Sequence, residues 1–361
     1  MSTHADLLTR FSDAPSAAPL FVPDLTLWYH THQQRGTLPE LWRDASLPQI
    51  AAALGVPAWM AARPWRIETP GVDVEQTEEA GERLTRIRTS AGELTTRWTL
   101  GSDGTWWQME YPVKSVADLP AALELAQART YVLEAPVLSA GADTGNDRSV
   151  AAVEIPTRPY ADLLYDMVGM GEGFMLLMES PPEIDAILAV LEEKLQSFIA
   201  ELTALPATVL YSPDNLDAQF IPPSTFSRHL APSYRRTTEQ AHQAGKHLLV
   251  HAGGPVSGLL EPLAEAGVDG VEGVAPPPQS DVSLAAARQL TGPRFTLWGG
   301  IPQDYVLATR SRQEFEATVI QAVQEAGDDS RIILGIADRV PVDVEWERLE
   351  AIPALMRQAR G

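Results

Sequence analysis

Short apolar runs rich in β-branched and aromatic residues recur along this chain, each followed by a longer stretch of helical periodicity. That alternation restricts the fold to βα units around a parallel sheet. Seven runs stand out: TLWYH at 26–30, SVAAVEIP at 149–156, ATVLYSP at 207–213, HLLVHAG at 247–253, GVDGVEGV at 267–274, RFTLWGGI at 294–301 and RIILGIAD at 331–338, with VPAWM at 56–60 as a weaker eighth. Eight strands of one direction fit a closed barrel, so the predicted fold class is α/β, a (β/α)8 TIM barrel. The helices between them have legible ends. In residues 182–202, Ile184, Ile187, Leu188, Leu191 and Leu195 fall on one stripe, the spacing that packs a helix on a sheet. The helices over 223–245 and 312–327 both stop at a glycine, Gly245 and Gly327, a common way to end a helix.

Residues 66–111 break this rhythm. RLTRIRTS, GELTTRWTL and TWWQMEYP alternate polar with apolar residues across the turns Ser90-Ala91-Gly92 and Ser102-Asp103-Gly104, which is antiparallel hairpin chemistry. The segment reads as a small β-hairpin insertion near the N-terminus of a single barrel domain spanning 1–361, followed by a linking helix over 115–127. Residues 138–148, SAGADTGNDRS, read as a mobile loop. Trp106 and Trp107 are expected to be packing residues, with an aromatic face for a flat ligand as the alternative.

Charge and cysteine content remove whole classes of function. With 27 Lys and Arg against 48 Asp and Glu, the net charge of -21 repels a phosphate backbone or an anionic membrane, and no basic cluster offsets it. Neither nucleic acid nor a membrane is an expected partner. The first 19 residues lack a cationic segment followed by an apolar one, and no run approaches the roughly 20 apolar residues of a membrane span, so the expected location is cytoplasmic. Glu75, Glu78, Glu79 and Glu82 read as a solvated face. The absence of cysteine excludes disulfides, thiolate metal ligands and a cysteine nucleophile. The glycine pairs at 252–255 and 299–302 lack the spacing and the lysine of a phosphate-binding loop, so no nucleotide cofactor is expected.

In a parallel barrel the working groups sit where strands end and βα loops begin. The predicted strands place His30 and His32 after the first, Glu154 on the third, Asp214 and Asn215 after the fourth, His251 after the fifth, Glu272 after the sixth, Gln303 after the seventh and Asp338 after the eighth. Singly, each is as readily a loop cap or a satisfied polar residue; their joint placement on one rim marks a site. His251 leads because it ends an apolar strand just before Ala-Gly-Gly, where missing side chains leave room for a ligand. Its imidazole can act as acid, base or metal ligand near neutrality, and the competing reading is a buried histidine bonded to a loop carbonyl. Asp214 can orient His251, bind a metal or cap the helix that follows. The catalytic candidates are thus His251, Asp214 and His32, and the substrate-binding candidates are His30, Arg35, Asn215, Gln303 and Glu154. His251, Glu272 and Asp338 offer nitrogen and oxygen ligands for a divalent metal such as zinc, manganese or iron. His242 and His247 flank Gly245 and read as surface residues or partners of the helix dipole.

Several stretches carry a resemblance, in order: THQQRGTLPE at 31–40, residues 155–188 from IPTRPYADLL to PPEIDAIL, SPDNLDAQFIPPSTFSRHLAPSYRR at 212–236, KHLLVHAGG at 246–254, GVDGVEGVAP, LWGGIP, and ILGIADRVPVDVEWERLEAI to residue 352. Together, from about residue 25 onward, the sequence resembles the uroporphyrinogen decarboxylase superfamily, which includes methyltransferases serving corrinoid proteins. The resemblance implies the barrel. It also implies that decarboxylases hold an octacarboxylate porphyrinogen through arginines of the N-terminal motif. Here His32 and Gly36 stand at those positions, and Arg35 is one place out of register. Thiol-methylating relatives are implied to bind zinc through His-x-Cys on the fifth strand and a second Cys after the eighth. This chain keeps His251 but has Gly253 at the first cysteine position and no thiolate near Leu334 and Gly335. Other relatives take a methyl group from a methoxylated or methylated small molecule, which needs only acid or metal assistance at the leaving atom. The implied function is one-carbon transfer or demethylation of a small molecule with a corrinoid-binding partner protein, ahead of porphyrinogen decarboxylation. A barrel that only binds a ligand is the remaining alternative.

Overall fold

The computed structural model describes residues 7–11, 19–101, 104–134, 152–179 and 182–360. The chain forms two compact units, one from Met1–Pro64, Ala135–Ile155 and Thr203–Gly361, the other from Trp65–Glu134 and Pro156–Leu202.

The first unit carries eight parallel strands: β1 (Leu20–Phe21), β2 (Ala61–Ala62), β3 (Ala152–Glu154), β4 (Val209–Leu216), β5 (His247–Ala252), β6 (Gly270–Val274), β7 (Thr296–Pro302) and β8 (Ile332–Ala337). They lie in the order β1-β8-β7-β6-β5-β4-β3-β2 with every ladder parallel, the succession of a (β/α)8 barrel. Every residue of β6, β7 and β8 is buried, as parallel strands covered on both faces require. Leu20, Trp59, Val209, Tyr211, Leu249, Trp298 and Ile333 from around the sheet meet Leu7 and Phe11 of the N-terminal segment in one apolar cluster. Side chains two apart on a strand share a face, so the periodicity that sends Leu249 into this cluster aims His251 inward as well, one layer nearer the C-terminal end.

Two strands are not where the sequence predicts them. TLWYH belongs to a helix, Thr26–Arg35, and the first strand is Leu20–Phe21, paired with Ile333 and Leu334 of β8. Pro23 and Asp24 end that strand, and Asp24 Oδ1 accepts from the Thr26 N–H at 2.8 Å. Within TLWYH only Trp28 is buried, a spacing of helical turns that its β-rich composition disguises. The weak eighth strand is realised one step on, at Ala61–Ala62, after the buried Trp59. The helix ends fall as expected: Gly245 and Gly327 adopt φ of 69° and 52°, values that disfavour side chains.

In the second unit, strands 73–79, 82–89, 92–100 and 106–110 form an antiparallel sheet, so residues 66–111 are hairpins, with Ser90-Ala91 at one turn. Of the glutamates expected on a solvated face, Glu75, Glu78 and Glu79 lie on an exposed edge strand, held by Arg88 reaching Asp73 at 3.0 Å and Glu75 at 2.9 Å, and Glu82 is half-buried on the neighbouring strand. Trp65–Glu68 pairs with Thr130–Leu133, and the helix Pro182–Leu202 packs on the helix Leu119–Ala128 and stacks Phe198 on Tyr131. Trp106 lies under the Arg83 guanidinium, whereas Trp107 is 59% exposed and so is not the packing residue expected. The loop predicted at 138–148 lies outside the described residues. Among the described residues, no helix is long and apolar enough to cross a membrane.

Candidate active site at the barrel mouth

His251 and Glu272 face each other in register on β5 and β6, and both are 4% exposed. His251 Nδ1 lies 2.6 Å from Glu272 Oε2. A carboxylate oxygen accepts, so Nδ1 carries a hydrogen and Nε2 is left for chemistry. Nε2 points to Asp338, the first residue after β8, whose Oδ1 is 3.4 Å away. That oxygen is buried, yet among the described residues it accepts no hydrogen bond. Tyr211 on β4 donates to the same Glu272 oxygen at 3.4 Å, and its ring lies 6.4 Å from the imidazole. Trp59 packs edge-on against Tyr211 and Trp298, giving the charged groups a buried aromatic floor.

Electrostatics follow from this burial. Burial works against an imidazolium, but the carboxylates of Glu272 and Asp338 outweigh it, so His251 titrates above its ordinary value. Burial likewise lifts Glu272 above the usual carboxylate range despite the adjoining histidine. The titrating proton is the one on Nε2, because Nδ1 keeps its hydrogen for Glu272. Asp24, after β1, is also raised by burial, partly offset by the Thr26 donors. Arg339 stands between the two acids, its Nε 3.7 Å from Asp338 Oδ1 and 4.0 Å from Asp24 Oδ2. Burial weakens its charge, and Asp24 and Asp338 more than restore it. Glu154, half-buried at the end of β3, is raised by burial against the pull of Arg63 and Arg339.

The backbone holds these groups in place. Gly273 follows Glu272 with φ of 97°, where the register between β6 and β7 shifts, and a Cβ there would sit 2.0 Å from the Ala252 carbonyl. Such a bulge re-aims the side chain beside it and admits only glycine. Two glutamines tie the loops after β6, β7 and β8. Gln279 donates to the Ala337 carbonyl and accepts the Gln303 N–H, and Gln303 donates to the Arg339 carbonyl at 2.8 Å. Asp338 and Arg339 are thereby fixed from both sides.

The sequence profile of uroporphyrinogen decarboxylase (URO-D) matches residues 161–359, more than half of the chain. The chain belongs to the URO-D family. Its structure aligns with a methyltransferase from Methanosarcina mazei over 100% of both chains, with a TM-score of 0.61 and 16% identity, a likeness of fold. A D-psicose 3-epimerase from Clostridium cellulolyticum H10 aligns over 58% of this chain and 89% of its own, with a TM-score of 0.33 and 11% identity. No curated protein matches the sequence.

Within this URO-D barrel the predicted residues separate into two groups. His251, Glu272 and Asp338 come together, each offering a ligand atom within 4.8 Å of the others. Asp214 does not orient His251, a role that Glu272 takes. Asp214 is fully buried where β4 slips out of register, accepting from the hydroxyls of Ser212 at 2.7 Å and of Tyr234. His32 has both ring nitrogens engaged. Its Nε2–H donates to the Val342 carbonyl at 3.0 Å and its Nδ1 accepts from Thr37 at 2.8 Å, leaving neither for a substrate. His30 and Arg35 are exposed on the same helix. Gln303 has its amide committed to Arg339, and Glu154 stands at the end of β3 beside Tyr211 in register. Asn215 lies over Gly253, where a Cβ would sit 1.7 Å from its Oδ1, so a side chain at the first cysteine position of the thiol-methylating relatives would have to displace that exposed amide. His242 and His247 share Asp269, at 2.9 and 3.3 Å. Arg339, Asp24, Tyr211 and Gln279 escaped sequence reasoning. The one available signal was the Asp-Arg pair directly after the last strand.

His251 Nε2 and Asp338, whose buried Oδ1 lacks a hydrogen bond among the described residues, offer the nitrogen and oxygen that a divalent cation takes, with Glu272 fixing the imidazole from Nδ1.

Proposed function

We propose that this URO-D family member is an enzyme that removes a methyl group from a small methylated molecule, the methyl acceptor being a corrinoid presented by a partner protein. The observation that carries the reading is the His251 ring, buried and held at Nδ1 by Glu272 at 2.6 Å, with Nε2 facing Asp338 at 3.4 Å. As the bond from methyl to oxygen or nitrogen breaks, its electron pair stays on the departing heteroatom, which must take up a proton. The Nε2–H of His251 supplies that proton, and Glu272 stabilises the imidazolium beforehand. Asp338 holds the imidazolium from the other side. Where Nε2 carries no proton, His251 and Asp338 would instead hold a divalent cation, with Glu272 bonded behind the imidazole. Such a cation, when bound, polarises the leaving heteroatom. The full-length likeness to a methyltransferase supports this reading, and the lack of a cysteine sets aside a thiolate metal site of the thiol-methylating kind.

The test is anaerobic incubation with cob(I)alamin and a panel of methoxylated and N-methylated compounds, following the loss of the cob(I)alamin absorbance. Turnover is expected for one subset, and His251→Ala should lower it roughly a hundredfold or more while the melting temperature stays near wild type. A fall in melting temperature with normal activity per folded molecule would make His251 structural instead. The family profile favours decarboxylation as the second reading, and the same protein given a porphyrinogen should release little or no carbon dioxide. Robust release would reverse the order.

A further inference from the structure

Arg339 is a cation at the mouth whose guanidinium makes no hydrogen bond among the described residues. Its nearest acidic atoms, Asp338 Oδ1 at 3.7 Å and Asp24 Oδ2 at 4.0 Å, both face Nε. A guanidinium built only to neutralise neighbours closes to roughly 2.7–2.9 Å, commonly with both prongs of its fork. Here the charge is balanced while the fork stays unfilled, on a side chain that is 42% exposed. The backbone beneath it is fastened, since Gln303 donates to the Arg339 carbonyl and the Val340 N–H donates to the Asp24 carbonyl. This combination, a fixed base, an open fork and one acidic oxygen shared with His251 Nε2, describes a ligand anchor.

We propose that Arg339 grips a carboxylate of the substrate, so that the methylated molecule is a small carboxylic acid. The assignment rests on the reading of His251 as the group that acts on the departing heteroatom, because Asp338 Oδ1 stands between His251 Nε2 and Arg339 Nε. A substrate held by its carboxylate therefore presents a heteroatom to His251 within the length of one small molecule. A carboxylate suits the mouth better than a phosphate. Asp24 and Asp338 lie beside Nε, Glu154 acts on Arg339 through its charge, and a monoanion filling one guanidinium meets less repulsion from them than a dianion.

Calorimetric titration, without any methyl acceptor, tests this with 3-methoxybenzoate, its neutral isostere 3-methoxybenzamide, and methyl phosphate. The wild type should bind the benzoate well above the amide and methyl phosphate weakly. Arg339→Gln should weaken the benzoate roughly 10- to 100-fold and leave the amide unchanged. Arg339→Lys, which keeps the charge and loses the fork, should recover only part of the affinity, and it serves as the readable variant if the glutamine variant does not fold. Benzoate binding that equals amide binding in the wild type, or that survives Arg339→Gln, overturns the assignment, as does preference for methyl phosphate. Arg339-dependent benzoate binding without methyl transfer would instead leave the anchor standing and remove the demethylase reading.

Discussion

At the scale of single residues, the proposed chemistry depends on the proton that His251 holds between Glu272 and Asp338. Because Glu272 and Asp338 raise the folded-state pKa of His251 above the unfolded value of about 6.5, the interaction favours the protonated form. Its stabilisation is fully present below that unfolded value and is lost as pH rises through the folded one. Activity that needs the Nε2 proton should fall over the same alkaline interval. Glu272→Gln removes the larger attraction, so the alkaline limb of the profile of kcat/KM against pH should move to lower pH, while His251→Ala should abolish that limb. A pH–rate series on both variants checks this, and an unmoved limb would remove Glu272 from the role. His251 was legible from its strand end and the glycines after it. Glu272 was legible as a rim carboxylate, though not as the partner of Nδ1, since the pairing depends on a β5–β6 register that no local pattern states. Asp214 and His32 misled because a side chain at a strand end or in a nearby motif says nothing of the hydroxyls and carbonyls that will occupy it.

At the scale of elements, strands bounded by glycines were read well and short strands poorly. β1 and β2 each comprise two residues, too few for a period of two to show, and Thr26–Arg35 mimicked a strand by its aromatic and β-branched content. The close approach of β4 and β5 yields a sharp prediction. A Cβ on Gly253 would lie 1.7 Å from Asn215 Oδ1, the end of an exposed side chain, so Gly253→Ala should turn that amide aside at a cost within about 1 kcal/mol. Asn215→Ala in the same chain should recover most of that loss. Urea unfolding of the single and double variants measures the coupling, and additive losses would show that the two strand ends do not press on one another.

At the scale of the whole molecule, the alternation of strand and helix announced a barrel, whereas the extent of the second unit was hidden. Residues 66–111 were visible as hairpins by their turns, but nothing local assigns Pro156–Leu202 to the same unit as Trp65–Glu134. The chain's acid surplus and lack of cysteine bear on metal binding as well. Protein stripped with a chelator should take up one zinc ion per chain in calorimetric titration, and His251→Ala and Asp338→Ala should each abolish that site. Uptake unchanged in both variants would place any bound zinc elsewhere on an acidic surface. The amide of Asn215 pressed over Gly253 has a historical meaning too. A cysteine arising at 253 by one mutation meets the end of the Asn215 side chain, which is exposed to solvent. A cysteine entering at 253 would therefore have to turn the exposed Asn215 amide aside as it arrives, so a thiolate metal site in this barrel is a matter of two neighbouring strand ends rather than of one residue.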